Sequence, residues 1–173
     1  MIKIFFISVL GIAQGIDIEQ LTFLGIVGIL DPPRPGVHDA IMALRTSGIE
    51  IKMLTGDSEE TACSIGHRIG LCTSRQEGLF MSGEQIDQMD DLNFSNHINK
   101  VSIFYRVGPS HKLRIVKTLQ KNGFIVGMTG DGVNDGVALK KADIGIAMGR
   151  AGTDVCKEAS DMILVNDDFC TIM

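Results

Sequence analysis

The sequence has 173 residues, of which 45% are hydrophobic and 21% charged. This composition is ordinary for one globular domain and too apolar for a disordered chain. Its 16 Lys and Arg against 21 Asp and Glu give a net charge of −5, so no excess of basic charge favours nucleic-acid binding. The four cysteines form no C-x-x-C pair, which argues against a disulfide framework or a zinc site and favours a reducing compartment.

The N-terminal segment contains the longest charge-free run, Ile4 to Ile16, interrupted by polar residues and glycines. It falls short of the roughly 20 apolar residues that span a bilayer. Lys3 before an apolar stretch is one feature of a signal peptide, but no small-residue cleavage site follows. We therefore predict a buried strand over Ile4–Leu10, and assign residues 1–23 to a strand and connector without a targeting signal.

The following residues alternate short apolar runs with helical periodicity. The runs predicted as strands are Leu24–Leu30, Ile49–Leu54, Val101–Phe104, Phe124–Met128, Asp143–Met148 and Met162–Val165. Helices are predicted over Val37–Ser47, Ser58–Ile69 and Ser110–Lys121, and Ser82-x-x-Gln85 predicts a capping box. Strands with so little polar alternation need helices on both faces, so the fold class is α/β with a parallel sheet flanked by helices.

Two segments carry no predicted chemistry. Asp31-Pro32-Pro33-Arg34-Pro35 excludes a helix and indicates a rigid connector after a strand. Thr73–Lys100 is polar and weakly periodic, and we predict a surface excursion there.

The tripeptide Thr-Gly-Asp occurs twice, each time directly after a predicted strand, as Thr55-Gly56-Asp57 and Thr129-Gly130-Asp131. Ligands bind at the carboxyl edge of an open parallel sheet, so the two tripeptides should lie at one site. The first precedes a helix, whose free N–H groups suit a phosphoryl oxygen. An ordinary strand-to-helix turn with a cap remains the alternative for a single tripeptide.

The second tripeptide continues as Gly130-Asp131-Gly132-Val133-Asn134-Asp135. The start of a helix could aim Asp131 and Asp135 at one point, where the two carboxylates would repel unless a cation lay between them. Mg²⁺, held by few protein ligands and completed by phosphate and water, fits that chemistry. A pair of helix-cap carboxylates is the alternative. Arg106 and Lys112 could reach the same edge as phosphate-binding cations, whereas His111 is expected to be a surface residue.

Taken together, these pieces resemble the cytosolic phosphorylation domain of P-type cation pumps, which has the haloacid-dehalogenase-like, Rossmann-like fold. The stretches that carry the resemblance are Asp31–Arg34, Met53–Asp57, Arg106–Lys112, Met128–Asp135 and Ala142–Gly149, in the family's order and spacing. Gly152–Leu164 looks closest to the secretory-pathway branch of Ca²⁺/Mn²⁺ pumps.

The resemblance implies ATP-driven ion transport through an aspartyl phosphate, with ATP and Mg²⁺ as cofactors. By resemblance, Asp131 holds Mg²⁺ and Asp135 supports the same site. The nucleotide- and phosphoryl-contacting residues would be Thr55, Gly56, Asp57, Arg106, Lys112 and Asn134, with Thr55, Asp57 and Lys112 acting in catalysis. Mg²⁺ and Lys112 would neutralise charge on the transferred phosphoryl group.

Departures from the family limit what this chain does alone. The family's nucleophile lies in an Asp-Lys-Thr-Gly-Thr motif that the sequence lacks, and the nucleotide-binding insert, the actuator domain and the membrane helices are also missing. Gly136 replaces the usual Ala and Gly108 the usual Ser. We therefore interpret residues 24–173 as the C-terminal part of an incomplete phosphorylation domain, inactive alone, from a pump on the cytosolic face of a Golgi membrane. The alternatives are a soluble phosphatase of the same fold and a non-catalytic Mg²⁺- or nucleotide-binding module.

Overall fold

The computed structural model describes residues 8–29, 32–72 and 79–172. Within these residues the backbone forms eight β-strands and seven α-helices. The strands are β1 (Ser8–Gln14), β2 (Thr22–Ile29), β3 (Met53–Leu54), β4 (Phe80–Ser82), β5 (Ile103–Tyr105), β6 (Gly127–Gly130), β7 (Ile144–Met148) and β8 (Met162–Leu164). The helices are α1 (Val37–Thr46), α2 (Glu59–Arg68), α3 (Gly83–Gln88), α4 (Asp91–His97), α5 (Pro109–Lys121), α6 (Gly136–Lys141) and α7 (Asp154–Ala159).

The predicted α/β class is confirmed, with parallel strands flanked by helices. The six strands β3 to β8 form two three-stranded parallel sheets, in the orders β3-β5-β4 and β6-β7-β8. Each strand that precedes a Thr-Gly-Asp tripeptide, β3 or β6, is therefore an edge strand among the described residues. Both sheets are open on the side of their Thr-Gly-Asp tripeptide.

The prediction for Leu24–Leu30 is wrong in its pairing and its burial, whereas the burial predicted for Ile4–Leu10 lies outside the described side chains. β1 and β2 form an antiparallel hairpin, with Ser8 opposite Ile29 and Gln14 opposite Thr22. None of the residues 11–27 belongs to a buried cluster, and Phe23 is 64% exposed. A run of apolar residues predicts a strand but does not show what covers it. Residues 4–7 and Leu30 of the predicted strands lie outside the described residues.

The prediction of a surface excursion at Thr73–Lys100 is also wrong for the described part. Residues 79–100 contain β4, α3, α4 and a 3₁₀ turn at Ile98–Lys100. Ile86, Phe94 and Ile98 are fully buried in one hydrophobic cluster. Helices of six and seven residues span fewer than two turns, so a periodicity search does not detect them. The remaining residues 73–78 of the prediction lie outside the described ranges.

Local signals at helix ends are confirmed. Ser82 and Gln85 make the capping box, with the Gln85 N–H donating to Ser82 Oγ (3.1 Å) and the Ser82 N–H to Gln85 Oε1 (2.8 Å). Ser58 caps α2 by accepting the Thr61 N–H. Gly123, just past α5, has a φ of 87°, a conformation in which side chains other than glycine are strained.

Helix α5 is the element that positions the site, because it packs against both sheets. Ile115 and Leu119 belong to a cluster with Phe104 of β5, and Val116 belongs to a second cluster with Met128 of β6. Two further residues, Leu54 of β3 and Val126 before β6, pack against both of these clusters. The two open edges therefore lie near each other, on the side of α5 that carries these buried residues.

Candidate functional site at the carboxyl ends of β3 and β6

The first Thr-Gly-Asp tripeptide forms a tight turn after β3. The Thr55 hydroxyl donates to Asp57 Oδ2 (2.8 Å) and accepts the Asp57 N–H (3.1 Å). Thr55 is half-buried, while Gly56 and Asp57 are exposed. The turn therefore leaves the Gly56 backbone and the Asp57 side chain exposed to solvent, while the Thr55 hydroxyl is hydrogen-bonded within the turn.

The segment after β5 holds this turn in place. The Arg106 N–H donates to the Asp57 carbonyl (2.9 Å), and the Val107 N–H donates to the Thr55 carbonyl (3.1 Å). Arg106 has a φ of 50°, in the left-handed region that non-glycine residues rarely adopt. The backbone turns sharply here and leads directly into α5, with the Arg106 side chain exposed. Backbone hydrogen bonds thus join Arg106 to Asp57 and Val107 to Thr55.

The second tripeptide leads into a loop that is folded around Asp135. The Asp135 N–H donates to the Gly132 carbonyl (2.8 Å), and Asp135 Oδ2 accepts the Gly132 N–H (3.2 Å). A Cβ atom at Gly130 would lie 2.6 Å from the Cβ of Asp135, so a side chain there would push the loop apart. Asp135 is buried, whereas Asp131 and Asn134 are exposed.

A short ion pair connects the two halves of the site. Lys112 Nζ, near the start of α5, lies 2.6 Å from Asp135 Oδ1, and the two side chains are only 13% and 9% exposed. Since Asp135 also accepts the Gly132 N–H, both of its carboxylate oxygens have protein partners. The Asp131 carboxylate makes no hydrogen bond or ion pair with any described residue. Of the two predicted metal ligands, Asp131 is the one whose carboxylate is open.

The Asp131 loop is also held from the far side by α7. The Thr153 N–H donates to the Asp131 carbonyl (3.0 Å), and the buried Cys156 thiol donates to the Gly132 carbonyl (2.8 Å). Thr153 in turn caps α7 by accepting the Cys156 N–H through its hydroxyl. The sequence motifs point to no role for Thr153 or Cys156 in the site. A Thr-Asp pair at the start of a helix is a capping signal, but it does not reveal a partner 22 residues upstream.

His111 is not the surface residue that the sequence predicts. Its side chain is 17% exposed; Nδ1 accepts the Gly108 N–H (3.0 Å), and Nε2 donates to Asp87 Oδ1 (3.0 Å). It therefore caps the start of α5 and ties it to α3. A single sequence does not show this, because Asp87 lies 24 positions away and on a different helix.

Tyr105, which immediately precedes Arg106, has a perturbed hydroxyl. Burial raises the pKa of Tyr105, and the nearby Glu59 carboxylate at the start of α2 adds to that increase. The phenol is therefore a neutral hydrogen-bonding group at this edge of the sheet, not a source of negative charge.

No group of three or more His, Cys, Asp or Glu side chains in the described ranges is arranged to enclose a metal. Among the helices described here, none is both long and apolar enough to cross a membrane.

Comparisons with known proteins show what this chain is similar to. A family model described as a haloacid dehalogenase-like hydrolase matches residues 8–143. The chain is 59% identical over 167 residues to calcium-transporting ATPase type 2C member 1 of Homo sapiens, and 56% identical over the same length to member 2. It is 53% identical over 156 residues to calcium-transporting ATPase 1 of Saccharomyces cerevisiae.

These alignments cover 96%, 96% and 90% of this chain but only 18%, 17% and 16% of the relatives. The chain thus spans less than a fifth of the length of the curated relatives it matches. One solved structure superposes on this chain with a TM-score of 0.60 and 28% sequence identity. Its title is "Conformational changes in the catalytic domain of the CPx-ATPase CopB-B upon nucleotide binding". That superposition covers 87% of this chain and 46% of the other.

Proposed function

The chain belongs to the haloacid dehalogenase-like hydrolase family, and on that basis we propose that it supplies the Mg²⁺- and phosphoryl-contacting loops of the phosphorylation site of an ATP-driven calcium pump. One observation carries the proposal. The Lys112–Asp135 ion pair joins the loop after β6 to the helix that begins beside the Thr55 turn. A cation, an open carboxylate and a hydroxyl turn then lie at the neighbouring edges of the two sheets, which suits transfer of a phosphoryl group.

Asp131 is the proposed Mg²⁺ ligand. Its carboxylate is exposed and unpaired among the described residues, while its backbone is fixed by the Thr153 N–H. A hard oxygen donor on a rigid loop, with room for water and phosphate around it, fits the coordination that Mg²⁺ prefers. When bound there, Mg²⁺ would offset negative charge on the transferred phosphoryl group.

Asp135 has a different proposed role within the same metal site. Both of its carboxylate oxygens are engaged, one by Lys112 and one by the Gly132 N–H. It would therefore fix the loop that carries Asp131 and orient the Lys112 ammonium toward the sheet edge. Groups that orient metal ligands and charged partners in this way usually matter nearly as much as the ligands.

The remaining proposed contacts are to the phosphoryl group and to ATP. Lys112 would act as a point charge on phosphate, and the Gly56 N–H would donate a hydrogen bond to one of its oxygens. The Thr55 hydroxyl, which donates to Asp57 Oδ2 in this structure, would exchange that bond for one to phosphate. Asp57, Arg106 and Asn134 are exposed around these groups and would contact the nucleotide. None of these side chains supplies the attacking carboxylate.

The nucleophile, in this proposal, lies in an Asp-Lys-Thr-Gly-Thr motif on a part of the pump that is not among these 173 residues. The transported ion would be Ca²⁺ and also Mn²⁺, and the parent pump would lie in a Golgi membrane with this segment on the cytosolic side. The names of the type 2C and yeast relatives support Ca²⁺. The nucleotide-binding, actuator and membrane parts would be supplied by the rest of such a pump.

The test uses a type 2C pump in which the corresponding segment is replaced by this sequence. Phosphoenzyme formed from labelled ATP is measured after acid quenching, with the unmodified chimera as reference. Asp131→Asn and Lys112→Ala should each lower the phosphoenzyme level at least about tenfold. Asp39→Asn, which changes an exposed carboxylate on α1, is the matched control and should leave the level unchanged.

The isolated 173-residue chain provides the complementary measurement. With Mg²⁺ and labelled ATP it should form no acid-stable phosphoprotein. Robust labelling of the isolated chain would contradict the proposal. Turnover of a simple phosphomonoester that disappears in Asp131→Asn would instead indicate a soluble phosphatase, and nucleotide binding without any effect in the chimera would indicate a non-catalytic module.

A further inference from the structure

Asp167, in the segment after β8, is a buried carboxylate that the proposed site does not use. It is 4% exposed, and its two oxygens accept the N–H groups of two consecutive residues, Arg150 and Ala151, at 2.8 Å each. These donors, above all Arg150, hold the pKa of Asp167 below its usual range. The carboxylate therefore closes the loop of residues 149–153 that follows β7.

This loop has little freedom to adopt another shape. A Cβ atom at Gly152 would lie 1.9 Å from the Met148 carbonyl oxygen, so the backbone folds back tightly on the end of β7. The Gly149 N–H donates to the Leu164 carbonyl (2.9 Å), and so does the Asp167 N–H (3.0 Å). Asp167 itself has a φ of 53°, a strained conformation that persists only where the surrounding contacts impose it.

The loop ends at the proposed metal ligand. Thr153, its last residue, donates its N–H to the Asp131 carbonyl (3.0 Å). A shift of residues 150–152 would therefore move the donor that fixes the Asp131 backbone. Asp167 contacts neither Asp131 nor the sheet edge directly, so any effect on that site would pass through this loop.

The guanidinium of Arg34 holds Asp167 from the other side. It donates to the Asp167 backbone carbonyl and lies 3.9 Å from the carboxylate. Arg34 belongs to the connector between β2 and α1, at residues 32–36. The Arg34–Asp167 pair thus anchors the segment after β8 to a part of the chain more than 130 residues earlier.

We propose that the Arg34–Asp167 pair is a positioning element for the proposed Mg²⁺ ligand Asp131, acting through the loop of residues 149–153. The inference rests on the proposed function of Asp131. In Asp167→Asn the side chain keeps its size, but its NH₂ group faces an N–H donor and one of the two loop contacts is lost. The loop then relaxes, and the Thr153 N–H no longer fixes the Asp131 backbone as firmly.

Asp143 provides the matched control. Its carboxylate, at the amino end of β7, accepts the Val126 N–H (2.8 Å) and a Gln120 side-chain N–H (3.1 Å), and its pKa is also lowered by these bonds. It therefore makes the same kind of contact in the same sheet, but at the end opposite to the site. Asp143→Asn should cost stability without any change in metal binding.

The experiment measures the binding of Mn²⁺, a paramagnetic substitute for Mg²⁺, to the 173-residue chain. Two readouts are taken: the Mn²⁺ dissociation constant, and the broadening of the Gly132 amide signal in the ¹H–¹⁵N spectrum. Asp167→Asn should raise the dissociation constant about tenfold or more, as expected for a residue behind a metal ligand, and should weaken the Gly132 broadening. Asp143→Asn should match the unmodified chain in both readouts, although urea unfolding should show a loss of stability in both variants.

Two further variants keep the outcomes separable. If Asp131→Asn leaves Mn²⁺ binding unchanged, the proposed metal site is wrong. If Asp131→Asn abolishes binding but Asp167→Asn behaves as Asp143→Asn does, only the positioning role is wrong. Should Asp167→Asn fail to fold, Arg34→Met decides: it should weaken Mn²⁺ binding in the same direction, and an unchanged dissociation constant would overturn the inference.

Discussion

The Lys112–Asp135 ion pair gives the sharpest quantitative prediction. The two charged atoms are 2.6 Å apart and nearly excluded from solvent. At that separation, Coulomb's law with an effective dielectric constant of about 20 gives a gross attraction of about 6 kcal/mol. Desolvation of both charges offsets part of this energy, so we expect a net coupling of about 3 kcal/mol.

A double-mutant cycle measures this coupling. Lys112→Met keeps most of the apolar stem but leaves the Asp135 carboxylate buried with one N–H donor, which should destabilise the chain by about 3–5 kcal/mol. Asp135→Asn should be destabilising for the reciprocal reason. The double variant should cost clearly less than the sum of the two, because neither charge is then left unpaired.

Urea unfolding followed by circular dichroism provides the free energies. Lys117→Met is the matched control, because Lys117 is exposed on the same helix and its loss should change stability by less than about 0.5 kcal/mol. The reasoning fails if the coupling is below about 0.5 kcal/mol, or if Lys112→Met is no more destabilising than this control. Either result would mean that the ion pair does not hold the two halves of the site together.

Three further outcomes follow from other contacts. Lys52 is 9% exposed and donates to three backbone carbonyls, so Lys52→Met should lower the unfolding free energy by about 2–4 kcal/mol. The control Lys100→Met, at an exposed position, should change it very little, and urea titration measures both variants. Gly152→Ala should destabilise the chain by more than about 2 kcal/mol, since its Cβ would overlap a carbonyl oxygen. This is contradicted if scanning calorimetry gives an unfolding midpoint within about 2 °C of that of the unmodified chain, which is near the smallest shift that 1 kcal/mol produces. The hydrogen bond from the Val126 N–H, and to a smaller extent that from the Gln120 side-chain amide, holds the pKa of Asp143 in the folded chain below its ordinary value of 3.8. The resulting stability is complete above that value and is lost as the pH falls through the folded pKa. Asp143→Asn should therefore show a shallower loss of urea midpoint from about pH 4 downward, and an identical slope in both chains would exclude the hydrogen bond as its cause.

Much of the site could be predicted from single residues and their spacing. The two Thr-Gly-Asp tripeptides each follow a strand, and the structure places both strands at open edges that face the same helix. Strand ends and helix caps depend on a few adjacent residues, so Ser58, Ser82 and the glycines after helices predict them correctly. The family resemblance rests on the same stretches.

The buried helices and the exposed hairpin could not be predicted in this way. α3 and α4 are too short for periodicity to be visible, yet Phe94 is fully buried because it packs beneath α5. The hairpin has the opposite character, since its residues are apolar but contact none of the described clusters. In both cases burial depends on which other elements pack there, and a single segment does not contain that information.

The sequence by itself determined the chemistry at the end of each strand: which residues carry hydroxyls, carboxylates and cations, and where the backbone turns. The tertiary structure alone decided how those groups are shared. It pairs Asp135 with Lys112, leaves the Asp131 carboxylate without a partner among the described residues, and places Asp167 against the loop whose Thr153 N–H binds the Asp131 carbonyl. The reason is physical: each of these contacts joins residues 16 or more positions apart, and such a hydrogen bond is fixed by the packing of whole elements, not by the preferences of neighbouring residues.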